Sequence, residues 1–407
     1  MPVTYKEAVA TQKVIEDNLL AQPGVVSVAV VKDYNMSTGQ ETGDWVIEIG
    51  FENEEVAKNI KIAPELKVVN ELGIEFPNKF IKTRLTVEGK ILAGFYYSAV
   101  HANTIGNQHS LKKFQNGVYT SRVRPCPCGY SAGHYQSNTI NSTGTLGGLV
   151  FSNGEFQYFI LSNNHVLAST DRASKGDSII QPGATDGGQN TSHYGVGAFS
   201  YAVSLNSGVN YVDAAIAGLA GNWGNPFAYV QPNVQDIGLI AREKIGAVGM
   251  SIEKTGRTTG HTIGSIQTTV ASANISYPTG TFTFKEQIRT SSISAPGDSG
   301  SLLFERGLRS VVGLLFAGST SFTYYNHIVR VLDSLTAERR KETPNVNRLE
   351  FIGESFFQAN KVPHRTGFPK RHFSTNLPRC SFFKNKVNIS SFNRKALPFS
   401  LGYRFIK

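Results

Sequence analysis

The 407-residue chain carries 40 Lys+Arg against 30 Asp+Glu, a formal net charge of +10 and a pI near 9.3. With 40% hydrophobic residues it has material for ordinary cores, which excludes collagen, coiled coil and wholesale disorder. Its length allows about two or three domains, and its 40 glycines favour strands and turns.

The chain opens on Thr4-x-x-Glu7, the pattern of a capping box, and Tyr5, Ala8, Val9, Ile15 and Leu19 then share one helical face. Lys6, Glu7, Glu16 and Asp17 break any apolar stretch of signal-peptide kind. No segment reaches the roughly 20 apolar residues of a membrane helix, so a cytoplasmic address is expected. Val25–Val31 is a continuous apolar run of strand length. Trp45–Phe51 reads as a second strand, and Ile81, Thr83, Leu85 and Val87 alternate as a third. Residues 1–100 are therefore expected to form a small α/β domain without convergent catalytic residue types. Residues 101–118 read as a polar linker.

From residue 119 short strands alternate with turn signals. Thr145–Phe151 and Gln157–Leu161 flank Asn153-Gly154, a hairpin signal. Ser178–Ile180, Val196–Val203, Tyr211–Leu219, Ile263–Val270, Phe282–Ile288 and Ser310–Phe316 continue the series, and Ile328, Val331, Leu332 and Leu335 suggest a closing helix. The expectation for 119–338 is an all-β barrel or sandwich. Past residue 338 the pattern stops. Residues 355–407 hold 11 Lys+Arg and no acid, which leaves 29 Lys+Arg against 30 Asp+Glu in the rest of the chain, a net of −1. This 339–407 extension is expected to be basic and irregular. Three readings of it stay open: a nucleic-acid or anionic-surface binder, a disordered end, or an acquired extension.

Three cysteines, Cys126, Cys128 and Cys380, make no disulfide framework. Cys126-Pro-Cys128 with His134 nearby falls short of the about four ligands zinc needs, so no metal is expected.

Three motifs carry chemistry. Ser162-Asn163-Asn164-His165-Val166 puts a histidine past a strand end, Val212-Asp213-Ala214 puts a lone acid in an apolar run, and Pro296-Gly297-Asp298-Ser299-Gly300 puts a serine in a tight turn. A serine hydroxyl needs a base to take its proton, and the base needs an acid to fix its tautomer. His165, Asp213 and Ser299 are those parts, in the chain order His, Asp, Ser. Gly297 and Ser299 are the natural N–H donors to an oxyanion. Asp171 and Asp177 are rivals of Asp213 that follow His165 too soon. Gly129-Tyr-Ser131-Ala-Gly133 matches a nucleophile elbow but lacks the strand–helix context.

These motifs resemble the trypsin-like serine proteases of the chymotrypsin family. SNNHV resembles the histidine motif of bacterial high-temperature-requirement proteases, GDSGS the serine motif of chymotrypsin-like and glutamyl-endopeptidase-like enzymes. The chain is also similar to bacterial trypsin-like proteins with a small domain ahead of the protease. The resemblance implies a mainly β fold of two six-stranded antiparallel barrels with the site between them, and a serine endopeptidase that needs no cofactor. Gly313–Ser319 resembles the strand that holds substrate backbone, placing Phe316, Ala317 and Gly318 there. Thr255–Gly260 resembles the glycine-rich opening of the second barrel. Ile293, six residues before Ser299, stands where cleavage after Lys or Arg would want an acid, so a small or apolar residue is expected at that substrate position. The rival class is a catalytically silent binding module that keeps the fold. In a zymogen, Asp298 would await a new N-terminus.

Overall fold

A computed structural model describes residues 2–34, 38, 40–94, 117–135, 142–153, 157–221 and 225–359. The helix Tyr5–Leu20 begins as its capping box dictates: Thr4 Oγ1 accepts from the Glu7 N–H at 3.3 Å and the Glu7 carboxylate accepts from the Thr4 N–H at 2.8 Å. Its Ala8 and Leu20 pack on Val28, Val30, Ile47, Ile49 and Phe51. Those residues lie on the strands Val25–Tyr34 and Glu41–Phe51, which pair antiparallel. Glu75–Val87 runs parallel to Glu41–Phe51, after a crossover through the short helix Glu54–Asn59 and the strand Glu65–Val69.

The apolar run Val25–Val31 has no polar face because both its faces are covered. Val25, Val28 and Val30 meet the helix side, while Val26, Ala29 and Val31 join a second core with Ala273, Phe284 and Phe316. The sheet does not end with this unit. Ser27 and Val28 pair antiparallel with Ala273 and Ser272, so the N-terminal strands continue the sheet of the C-terminal β-structure.

That structure is a closed barrel. The strands Ser251–Gly256, Gly260–Tyr277, Gly280–Ser291, Phe322–His327, Ser310–Gly318 and Leu302–Glu305 pair in a ring, closed between Gly260–Tyr277 and Gly280–Ser291. The preceding β-structure is a separate eight-stranded sheet holding Gly148–Ser152, Gln157–Ser162, Ala215–Leu219, Gly195–Ala202 and Ser178–Ile180 among its members. The helix Ile328–Arg340 follows the barrel and buries Ile328, Val331, Leu332 and Leu335 in the core of that eight-stranded sheet. The molecule is thus mainly β.

Order continues beyond the expected stop at residue 338. Leu349–Phe351 pairs with Gly148–Ser152, and the helix Glu354–Ala359 adds Phe356 and Phe357 to the same core. The apolar residues of 349–357 are too few and too irregularly spaced to show a periodicity, yet they close an open sheet edge. Residues 101–116 of the expected linker and residues 360–407 of the basic extension lie outside the described residues. No helix among the described residues is long and apolar enough to cross a membrane.

Candidate active site

His165 lies in a single helical turn, Asn164–Leu167, directly after the strand Gln157–Ser162. Asp213 precedes the strand Ala215–Leu219, which is hydrogen-bonded to Gln157–Ser162, so the two residues meet at one sheet end. The Asp213 carboxylate takes the His165 ring nitrogen Nδ1 at 2.5 Å and the His165 backbone N–H at 3.2 Å. Asp213 is fully buried, and its environment supplies the hydrogen bonds that a buried carboxylate needs. Tyr277 donates its hydroxyl to Asp213 Oδ2 at 2.8 Å and stands edge-on to the His165 ring. Asn326 Oδ1 accepts from the Asp213 N–H at 2.9 Å, and Asn163 Nδ2 donates to the Asp213 carbonyl at 2.8 Å. Gln287 Oε1 in turn accepts from Asn326 Nδ2 at 2.8 Å. None of Tyr277, Asn326 or Gln287 carries a sequence signal, because they come from barrel strands distant in the chain.

The rival acids are committed elsewhere. Asp177 holds buried His134 at 2.9 Å, and Asp171 accepts from Asn164 Nδ2 at 2.7 Å and the Leu205 N–H at 2.8 Å. Ser131, the serine of the false elbow motif, donates to Asp186 at 2.5 Å from a strand. Cys126 and Cys128 are buried free thiols whose pKa burial raises, Cys128 to about 12. No group of three His, Cys, Asp or Glu residues able to hold a metal occurs among the described residues.

The Ser299 turn is clamped from both β-structures. Thr145 donates its N–H to the Ser299 carbonyl at 2.8 Å and its hydroxyl to the Gly297 carbonyl at 2.9 Å. Gly297 has φ +94, and a methyl there would lie 2.6 Å from the Arg257 guanidinium, so glycine is required. The N–H groups of Asp298, Gly300 and Ser301 are spent on Ala295, Leu315 and Asp298 carbonyls. The Gly297 and Ser299 N–H groups donate to no group among the described residues. Ser299 Oγ lies 3.4 Å from the Phe316 carbonyl, and His165 Nε2 is buried with no hydrogen-bond partner among the described residues.

Asp298 is fully buried and points away from this centre. Its carboxylate accepts from the Thr258 N–H at 2.8 Å, the Thr259 N–H at 3.1 Å, the Thr259 hydroxyl at 2.6 Å and the Ala295 N–H at 3.0 Å. Its charge is met at 3.0 Å by Lys254 Nζ, also fully buried. Burial pulls the Lys254 ammonium below its usual pKa against the attraction of Asp298. An internal lysine therefore stands where the zymogen reading would put a new N-terminus. In sequence, Lys254 looks like an ordinary solvent-facing strand residue.

Phe316 and Ala317 are buried on the Ser310–Gly318 strand, with Gly318 at its end, and Phe316 packs on Phe284. Ile293 is half-buried and packs against the core of the closed barrel, with its Cγ2 close to Gly264. Ser294 and the Phe322 carbonyl gather at Gly318: Ser294 Oγ is 2.8 Å from Thr323 Oγ1, and Ser294 Oγ and the Phe322 carbonyl each lie 3.4 Å from a methyl built on Gly318. This corner is lined by hydroxyls, and beside it Ser319 Oγ donates to the buried Glu88 carboxylate at 3.3 Å.

The Ser310–Gly318 strand is not open along its edge. Leu92 and Ala93, at the end of the N-terminal unit, pair antiparallel with Gly318 and Ala317. Gly94 follows directly against the His165 ring.

No protein-family model matches the chain, and no curated protein matches it. Solved structures do. Thermobifida fusca protease A is similar at 18% identity and a TM-score of 0.36, over 54% of this chain and 96% of that one. Cellulomonas bogoriensis chymotrypsin is similar at 19% and 0.36 over the same shares, and the Nocardiopsis protease at 19% and 0.37 over 56% and 99%. Likeness of this degree carries no argument about chemistry, for which the side-chain geometry is the ground.

Proposed function

We propose that the chain is a serine endopeptidase acting through Ser299, His165 and Asp213. The observation that carries this reading is the 2.5 Å Asp213–His165 contact beside a serine turn that keeps two N–H groups uncommitted. In this reading Ser299 Oγ turns from the Phe316 carbonyl toward His165 Nε2 and attacks a peptide carbonyl. His165 takes the proton, then delivers it to the leaving amine. Asp213, held by Tyr277 and Asn326, fixes the imidazole tautomer and stabilises the imidazolium. The Gly297 and Ser299 N–H groups hold the oxyanion. An acyl-enzyme on Ser299 is then hydrolysed by water. The Ser294, Thr323 and Gly318 corner favours a small residue before the cleaved bond. A reducing compartment such as the cytoplasm suits the two free buried thiols.

The contact between Ser299 Oγ and the Phe316 carbonyl favours the rival binding module, in which the serine never engages the base. Incubation with a fluorophosphonate and peptide mapping separates the two. A covalent adduct on Ser299 that is lost in His165→Ala is expected. Ser299→Ala should lower peptide turnover by about 10⁶. Absence of adduct, both in the wild-type chain and in variants that open the cleft, would leave the binding module.

A further inference from the structure

After Val87 the chain leaves the N-terminal sheet and crosses to the cleft. Glu88 pins the crossing: its buried carboxylate accepts from Ser27 Oγ at 2.5 Å and the Tyr324 hydroxyl at 2.6 Å. Its carbonyl accepts from Thr320 Oγ1 at 3.3 Å. Beyond Lys90, the Ile91 carbonyl accepts from the Ser276 N–H at 2.9 Å, and Leu92–Ala93 becomes a strand between Gly260–Tyr277 and Ser310–Gly318. Ile91 and Ala93 are buried. The register sets Leu92 opposite Gly318 and Ala93 opposite Ala317, which brings Gly94 to the base. A methyl on Gly94 would lie 2.7 Å from His165 Cδ2 and 2.9 Å from Nε2. The unpartnered face of the imidazole, which must receive the serine proton, is thus covered by backbone. His165 is 3% exposed.

Main-chain pairing along a sheet edge, with alternate side chains in pockets, is how extended peptides are bound. Here the edge is already taken by the chain itself. At Gly94 φ is +48, so the extended run Leu92–Ala93 ends at the base.

We propose that Ile91–Gly94 is a built-in occupant of the substrate strand: it keeps the full chain latent, and it reports what the cleft takes, an extended peptide of Leu-Ala-Gly type with its smallest residue against His165. The proposal rests on the protease reading for its word latent, but the occupancy can be tested without catalysis. A tethered strand competes at an effective concentration of about millimolar or more, so an external peptide gains access only when the strand leaves.

The test uses the full chain carrying Ser299→Ala and a fluorescently labelled synthetic peptide reproducing Glu88–Gly94, followed by anisotropy. Gly94→Val puts a β-branched residue at a positive φ and into the imidazole, which expels the strand. Leu92→Pro, which removes a ladder N–H, does the same by another route should the first variant fold poorly. Added to Ser299→Ala, each is expected to tighten peptide binding by about tenfold or more. Equal affinity with and without these changes overturns the proposal. A parallel arm keeps Ser299 and measures the rate of fluorophosphonate labelling, expected to rise by about tenfold or more in the same variants. Tighter peptide binding with no labelling anywhere would sustain the occupant and sink the protease reading. Labelling with unchanged peptide affinity would do the reverse.

Discussion

Lys254 holds Asp298 of the serine turn at 3.0 Å, and sequence patterning conceals it. A buried ion pair contributes little net stability, but breaking it by removing one partner costs about 3–5 kcal/mol, because the other charge stays buried. Lys254→Met is therefore expected to destabilise the protein by about that amount and to lower turnover by about 10², the cost of losing one oxyanion donor. A purely structural role predicts that stability and activity recover together. A positioning role predicts otherwise. In Lys254→Met with Asp298→Asn the buried charge is gone, so melting temperature should recover while kcat stays low, and Lys254→Arg alone should rescue kcat. Recovery of kcat in the double variant would remove Lys254 from the positioning of Ser299.

Elements differ in how much of them can be read from sequence. The helix at Tyr5–Leu20 and its capping box are local, set by residues three positions apart, and are legible. So are Ser178–Ile180 and most longer strands, and so is the meeting of His165 with Asp213, which follows once their strands pair. Tyr277, Asn326 and Lys254 are not, since each acts across pairings that no local pattern encodes. Leu92–Ala93 is illegible for a further reason: two residues have no period, and Ile-Leu-Ala-Gly reads as the frayed end of a strand. This crossing element is also where pH should act. Burial raises the Glu88 pKa; Arg289 opposes that, as do the hydrogen bonds from Ser27 and Tyr324, and Glu48 adds to it. A carboxyl that holds its proton more tightly when docked gives stabilisation that is full below its undocked pKa and is lost as pH rises through the docked one. Docking of the Ile91–Gly94 crossing should therefore weaken with rising pH, and Glu88→Gln should flatten that dependence. Hydrogen exchange at the Ala317 and Gly318 amides across a pH series checks it; parallel profiles for the two proteins would refute it.

At the scale of the whole molecule the net charge of +10 has no counterpart in the folded body. All of the excess falls within residues 355–407, of which only the first few are described. One continuous sheet instead joins the N-terminal unit to the closed barrel, beside the separate eight-stranded sheet. Asn274 on the barrel hairpin donates to the Leu20 carbonyl at 2.9 Å, across 254 residues of chain, beside the pairing of Ser27 with Ala273. That seam has a consequence for solution behaviour. Gly260–Tyr277 is an 18-residue strand, and its stretch around Ser272 and Ala273 pairs with Ser27 and Val28 of the N-terminal unit. A chain nicked between residues 94 and 117 and stripped of its N-terminal piece would bare the strand edge at Ser272 and Ala273, with apolar neighbours Ala271 and Ile275. Unpaired edges of this kind recruit other chains. Light scattering should then report self-association of the stripped protein, relieved by a charged substitution such as Ser272→Lys, while the nicked but unseparated chain stays monodisperse. The N-terminal sheet would thus act as a guard against aggregation.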